Sequence, residues 1–260
     1  MTTPVLNWIK EGSGPTVVLS HALGCDLGMW DGVAAVLSPK YTVLRYDHRG
    51  HGQSPAPAGS WNMAALAQDA AALIRAQAVG PVHFVGLSMG GMTAQALVAA
   101  QPELIKSLTI ANSSDWYDEA ARTMWQARRD TVAAKGVAAI ADAAMQRWFT
   151  PEFRADEANG GAMRVASLRL RLEQLDAAAY SANCEAVSGI DFRESNRHIK
   201  CPTLVIAGAR DEATPPAMSQ AIVSAIAGAK LHLLDAAHLS AVEQPEAFAQ
   251  ALVKFLHTVE

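Results

Sequence analysis

Short apolar runs recur at both ends of this chain and are missing from its middle. Thr16–Ser20, Tyr41–Tyr46, Val82–Leu87, Leu104–Ala111, Thr203–Gly208 and Lys230–Leu234 are too short for core helices and are rich in β-branched and aliphatic residues, so they read as strands. Helical spacing occupies the gaps, at Trp30–Leu37, Met63–Val79, Thr93–Ala100, Pro215–Ala227 and Glu243–Thr258. Strands that are apolar on both faces and alternate with helices imply a mostly parallel sheet covered on both sides. Val5–Lys10 reads as a further strand at the start, and Gly12–Pro15 as a turn. The middle, 115–195, has no convincing strand. It holds helical stretches at Tyr117–Lys135, Val137–Trp148, Gly161–Leu175 and Ala177–Val187, punctuated by Pro151 and Gly160–Gly161. The expected organisation is an α/β core of 1–114 and 196–260, with 115–195 inserted as a helical cap.

Composition narrows the partners. Half of the 260 residues are hydrophobic and 18% are charged, which excludes a disordered chain. A net charge of −4 offers no basic surplus for nucleic acid or a membrane surface. No run of apolar residues is long enough to span a bilayer, and Met1–Lys10 lacks the basic-then-apolar pattern of a leader. Cys25, Cys184 and Cys201 are scattered and form no CxxC pair, so a reducing cytoplasm is expected and a disulfide framework is not. The apolar positions of the last helix and of the cap suit a dimer surface and a single subunit equally well.

The segment Gly86-Leu87-Ser88-Met89-Gly90 follows one strand and opens a helix, which is the setting a G-x-S-x-G nucleophile turn requires. Glycines there let strand and helix approach, while the serine is pushed out on a strained backbone. A serine needs a base to take its proton and an acid to orient that base. His238 lies just beyond the last strand, and Asp211 lies in the loop after Thr203–Gly208. Glu212 and Asp115 are rival acids, and Asp235 is expected to cap its loop. The backbone amides of Met89 and of Leu23, in the loop His21-Ala22-Leu23-Gly24, are the expected oxyanion donors, with Ala22 as a rival to Leu23. His21 is expected to brace that loop, His83 to be structural and His232 to pack. In Asp47-His48-Arg49-Gly50-His51-Gly52-Gln53-Ser54, a structural network with Arg49 on Asp47 or on carbonyls is expected rather than a metal site. No dinucleotide or phosphate-loop fingerprint is present, so no cofactor is expected.

Taken together, these segments resemble the α/β-hydrolases with a helical cap over nearly the whole chain. Within that superfamily the stretches Ser20–Trp30, Tyr46–Gly52 and Gly86–Gly91 resemble the 3-oxoadipate enol-lactonases of bacterial aromatic breakdown. Ala22, where the wider superfamily has glycine, fits these lactonases. A serine at the elbow, not aspartate or cysteine, separates the chain from haloalkane dehalogenases, epoxide hydrolases and dienelactone hydrolase. The resemblance implies opening of a small lactone that carries a free carboxylate, by Ser88, His238 and Asp211. It also implies recognition of the carboxylate by the cap, for which Trp125 and Arg129, one helical turn apart, are the expected pair. Other carboxylesterases, cofactor-free haloperoxidases and perhydrolases, carbon–carbon hydrolases and a hydrolase-fold receptor share the same elements.

Overall fold

The computed structural model describes residues 5–78 and 80–259. Seven strands form one sheet in the order β1-β3-β2-β4-β5-β6-β7: β1 (Trp8–Glu11), β2 (Thr16–Ser20), β3 (Thr42–Tyr46), β4 (Val82–Leu87), β5 (Ile105–Ala111), β6 (Thr203–Gly208) and β7 (Lys230–Leu234). All neighbours are parallel except β1, which runs antiparallel along the β3 edge with Trp8 opposite Tyr46 and Glu11 opposite Val43. That pairing starts the first strand later than its sequence suggests. Residues 5–7 lie outside it, although the Asn7 carbonyl still accepts from Asp47 N, at 3.0 Å.

The strand period of two divides the core. Val17 and Leu19 of β2 face a cluster with Val33 and Leu37 of α1 (Asp31–Leu37), while Val18 faces the opposite cluster with Ala70 and Ile74 of α2 (Met63–Gln77) and Leu97 of α3 (Met89–Ala100). Asn62 caps α2 by accepting from Ala65 N at 3.1 Å. Val79, expected to end this helix, is outside the described residues. The helix expected over Glu243–Thr258 is α11 (Pro245–Leu256), and a short α10 (Ser240–Glu243) precedes it, separated from it because Pro245 has no N–H to continue the turn before it.

The helical region falls between β5 and β6. It comprises α4 (Glu119–Lys135), α5 (Ala141–Trp148), α6 (Pro151–Ala155), α7 (Gly161–Glu173) and α8 (Ala177–Ser188), before α9 (Pro216–Ala225) returns to the sheet. A 3-10 turn at Val137–Ile140 precedes α5, and α6 was not anticipated from sequence. The two ends of the region meet: Trp116 and Asp191 form an antiparallel bridge, and Phe192 N donates to the Asp115 carbonyl at 2.7 Å. Cys25 and Cys184 are buried, Cys201 is half-buried, and none is bonded to another. Among the described residues no helix is long and apolar enough to cross a membrane.

Candidate active site

The turn between β4 and α3 carries the strain its sequence implies. Ser88 sits at φ +55° and ψ −114°, which costs on the order of 1–3 kcal/mol for a residue with a Cβ. The surroundings hold it there. A Cβ on Gly86 would lie 2.0 Å from the Gly90 carbonyl oxygen, and one on Gly90 would lie 2.0 Å from that of Ser20. Ser88 N donates to the Ala111 carbonyl at 2.9 Å, and Ser113 Oγ donates to the Ser88 carbonyl at 2.8 Å. The side chain is thereby presented at the C-terminal edge of the sheet.

Two further strand ends complete a relay. His238, beyond β7, places Nε2 3.0 Å from Ser88 Oγ. Its Nδ1 lies 2.9 Å from Oδ2 of Asp211, in the loop after β6. With Asp211 accepting at Nδ1, Nε2 is free to receive the serine proton. The carboxylate is saturated with donors. Oδ1 accepts from the amides of Ala213 and Thr214, at 2.8 and 2.9 Å, while Oδ2 accepts from Thr214 Oγ1 and Asn112 Nδ2, at 2.8 and 2.9 Å. Burial pushes the Asp211 carboxyl up, yet the charge and hydrogen bond of His238, aided by Thr214 and Asn112, hold it at about 2.

Asn112 was not anticipated. It follows β5 at φ +44°, donates to both Asp211 and the Ala237 carbonyl, and accepts from Ser240 Oγ at 2.5 Å. Its sequence signal was an asparagine, a residue tolerant of left-handed backbone, directly after a strand. The rival acids are placed elsewhere. Among the described residues Asp115 has no hydrogen bond to His238, and Glu212 is exposed at the cleft wall. Asp235 pairs with Arg210 at 3.0 Å rather than capping its loop.

The loop after β2 is pinned on either side of one amide. Ala22 N donates to Met29 Sδ at 3.4 Å, Gly24 N to His51 Nε2 at 3.1 Å and Cys25 N to the Ala22 carbonyl at 3.1 Å. The Leu23 amide has no such partner among the described residues. Met89 is the first residue of α3, where an amide has no acceptor within its own helix. His21 supports the loop from below, its Nδ1 on the Ala22 carbonyl at 2.8 Å and its Nε2 accepting from His48 N at 2.8 Å. Both His21 and His51 accept through Nε2, which requires neutral rings, and burial lowers both, His51 to about 3. Among the described residues no cluster of potential ligands could hold a metal.

Other placements differ from expectation. Arg49 pairs with neither Asp47 nor carbonyls alone: its Nε and Nη2 grip Asp69 of α2, both at 2.6 Å. Asp47 instead accepts from Leu27 N at 2.7 Å, Gln53 N at 2.9 Å and Asn7 Nδ2 at 2.8 Å. His83 hydrogen-bonds Ser107 at 2.7 Å, whereas His232 is exposed because β7 is a sheet edge.

A cleft of about 260 Å³ opens over Ser88 and His238, between core loops and helices α4 and α5. Trp125 lines it, with Tyr117 edge-on at 6.0 Å. Arg129 does not. Its guanidinium turns away to Glu185 of α8, at 3.1 Å, on the side where α4 packs against α8. Arg128, three residues from Trp125, faces the cleft, as does Arg147.

A strained serine relayed through a histidine to a buried carboxylate, at the ends of parallel strands, is a hydrolase arrangement, and the family model for the alpha/beta hydrolase fold matches residues 15–245. The chain belongs to the α/β-hydrolases. This α/β-hydrolase is 38% identical to 3-oxoadipate enol-lactonase 2 of Acinetobacter baylyi over 95% of its own length and 91% of the relative's. The 3-oxoadipate enol-lactonase 1 of the same organism is 34% identical, with the same coverage. Among solved structures, the enol-lactonase from Burkholderia xenovorans LB400 superposes with a TM-score of 0.91 at 36% identity, covering 97% of this chain and 96% of that one. A thermophilic esterase from Thermogutta terrifontis does so at 0.90 and 26% identity, over 98% and 93%. The α/β-hydrolase fold and action on a small lactone or ester follow from these likenesses together with the relay.

Proposed function

We propose that this α/β-hydrolase opens 3-oxoadipate enol-lactone to 3-oxoadipate through an acyl-enzyme. The observation that carries the reading is the unbroken relay Ser88 Oγ–His238 Nε2–Nδ1–Asp211 at the floor of a cleft sized for a small ring. The Acinetobacter and Burkholderia relatives support the choice of substrate. The Trp116–Asp191 bridge supports treating 115–195 as a cap over a core of 1–114 and 196–260.

In this mechanism Ser88 Oγ attacks the lactone carbonyl as His238 Nε2 takes its proton. The carbonyl oxygen becomes an oxyanion held by the Leu23 and Met89 amides. Collapse breaks the ring C–O bond and His238 returns the proton to the departing enol oxygen, a better leaving group than a simple alkoxide. The tethered enol tautomerises to the ketone. A water gives its proton to His238 and attacks the acyl carbon. Collapse of the second tetrahedral intermediate returns that proton to Ser88 and frees the diacid. Asp211, unprotonated throughout, keeps the ring oriented and stabilises the imidazolium. The reaction uses no metal or cofactor.

The test is product formation by the purified protein on a panel of the enol-lactone, p-nitrophenyl acetate, and acetate with peroxide. Enol-lactone turnover with the highest kcat/KM, abolished in Ser88→Ala, is the expected result. Preference for the simple ester or for peracid formation would overturn the lactone assignment, and undiminished Ser88→Ala activity would remove the nucleophile.

A further inference from the structure

Arginines outside the cleft are largely paired with carboxylates. Arg49 holds Asp69, Arg171 holds Asp26, Arg129 holds Glu185, and Arg210 holds Glu152 and Asp235. Arg128 and Arg147 are different. Both are half-buried in the cleft wall, and neither has a hydrogen bond or ion pair among the described residues. Arg128 lies over the Trp125 ring, 5.2 Å from its centroid. Arg147 precedes Trp148, whose ring closes against the loop carrying Leu23: a Cβ on Gly24 would come within 2.9 Å of it. Tyr117 lines the same cleft, and its phenol, pushed up by burial and by the Asp211 charge, feels the opposing charge of both guanidiniums.

Two cations without a paired carboxylate line this one cleft, and Met124, Trp125, Trp148 and Met218, which line it with them, offer no counter-charge. Glu212, on the core loop opposite, is exposed and bonds to neither. An anion entering here would meet planar donor forks in apolar surroundings, where charge-assisted hydrogen bonds are strongest. The floor of the same cleft holds the nucleophile, so the anion must belong to the molecule being cleaved or to its product.

We propose that Arg128 and Arg147 form an anion subsite that receives a free carboxylate on the substrate, so that the enzyme selects small cyclic esters bearing an acid arm. The identity of the ester rests on the lactonase reading; the subsite itself does not. It replaces Arg129, whose guanidinium belongs to Glu185. Recognition of the acid arm from the cap also orients the ring, since the arm fixes one end while the carbonyl seats between the two amides at the other.

The experiment compares kcat/KM for the carboxymethyl enol-lactone with that for α-angelica lactone, the same ring with a methyl group in place of the acid arm. The wild type prefers the acid. The double variant Arg128→Met/Arg147→Met loses about 10- to 100-fold of that preference, entering mainly through KM, as expected for loss of charged hydrogen bonds. The Lys/Lys variant, which keeps charge without the fork, retains part of it, and Arg129→Met keeps all of it. A double variant with undiminished preference overturns the proposal. A second arm reads adipate inhibition of p-nitrophenyl acetate hydrolysis. Inhibition weakened tenfold or more in the double variant supports the subsite, and unchanged inhibition overturns it. This arm needs no lactone turnover. A protein that refuses both lactones but loses adipate inhibition in the variant would discard the lactonase reading and keep the subsite. Both residues are only half-buried and hold no ion pair among the described residues, so the variants should keep the fold, which a thermal melt checks.

Discussion

The floor and the roof of the cleft are built on opposite plans. On the floor, almost every polar atom has a fixed partner: Asp211 takes four donors besides His238, and Asn112 ties that acid to the loop of His238. In the roof, aromatic rings and two unpaired guanidiniums face the opening with few directional contacts. The difference teaches where precision is needed. Proton transfer fails with small misplacements, so its groups stand on strand ends and are braced by backbone. Selection of a small ester or lactone tolerates looser packing than proton transfer, so it can be left to helices.

The comparison breaks first at the nucleophile. Ser88→Ala should lower kcat by on the order of 10⁴–10⁶-fold while the fold is retained, measured by single-turnover lactone hydrolysis. Ser88→Ala with activity near wild type would mean the floor does not do the chemistry. Asp211→Asn comes next, with an expected loss of about 10⁴-fold in kcat and little change in KM, since the ring of His238 would lose its oriented tautomer. The buried pair beneath the floor is structural rather than chemical. Asp69→Ala strands the Arg49 guanidinium, whose side chain is 3% exposed, and should lower unfolding free energy by about 3–5 kcal/mol in urea titration.

Acid sharpens the contrast. The folded Asp211 carboxyl, at about 2, lies below the ~3.9 of an unfolded aspartate. A lowered carboxyl stabilises the fold fully above the unfolded value, and that contribution is lost as pH falls through the folded one. Between about pH 4 and pH 2 the wild type should therefore lose on the order of 2 kcal/mol that Asp211→Asn does not, with the two stability curves converging in that window. The smallest effect belongs to the outer face of the inserted helices. Arg129→Met breaks a partly solvated pair with Glu185 and should change stability by less than about 1 kcal/mol, with KM unmoved.

Strand placement was legible because a doubly covered parallel strand has to be largely apolar, and β4 and β6 are buried at all six of their residues, with only His83 and Thr203 polar. The elbow was legible because glycine spacing encodes the close approach of strand and helix. Asn112, Thr214 and the grip of Arg49 on Asp69 were not, because each joins residues far apart in the chain, and local pattern carries no record of which polar groups will meet. Which arginine of α4 lines the cleft was not legible for a finer reason: Arg128 and Arg129 both lie about one turn from Trp125, and only the tertiary packing of α4 on α8 decides which one turns inward.

The Trp116–Asp191 bridge has a consequence for ancestry and for engineering. Since the inserted helices leave and rejoin the sheet side by side, their combined length is free to vary without shifting any strand, and even a doubled insert adds only about 0.6 kcal/mol of closure entropy. The scaffold is in this sense a socket: roofs from kindred enzymes can be transplanted onto one set of reactive groups, and new tastes in substrate can evolve while the machinery beneath stays untouched.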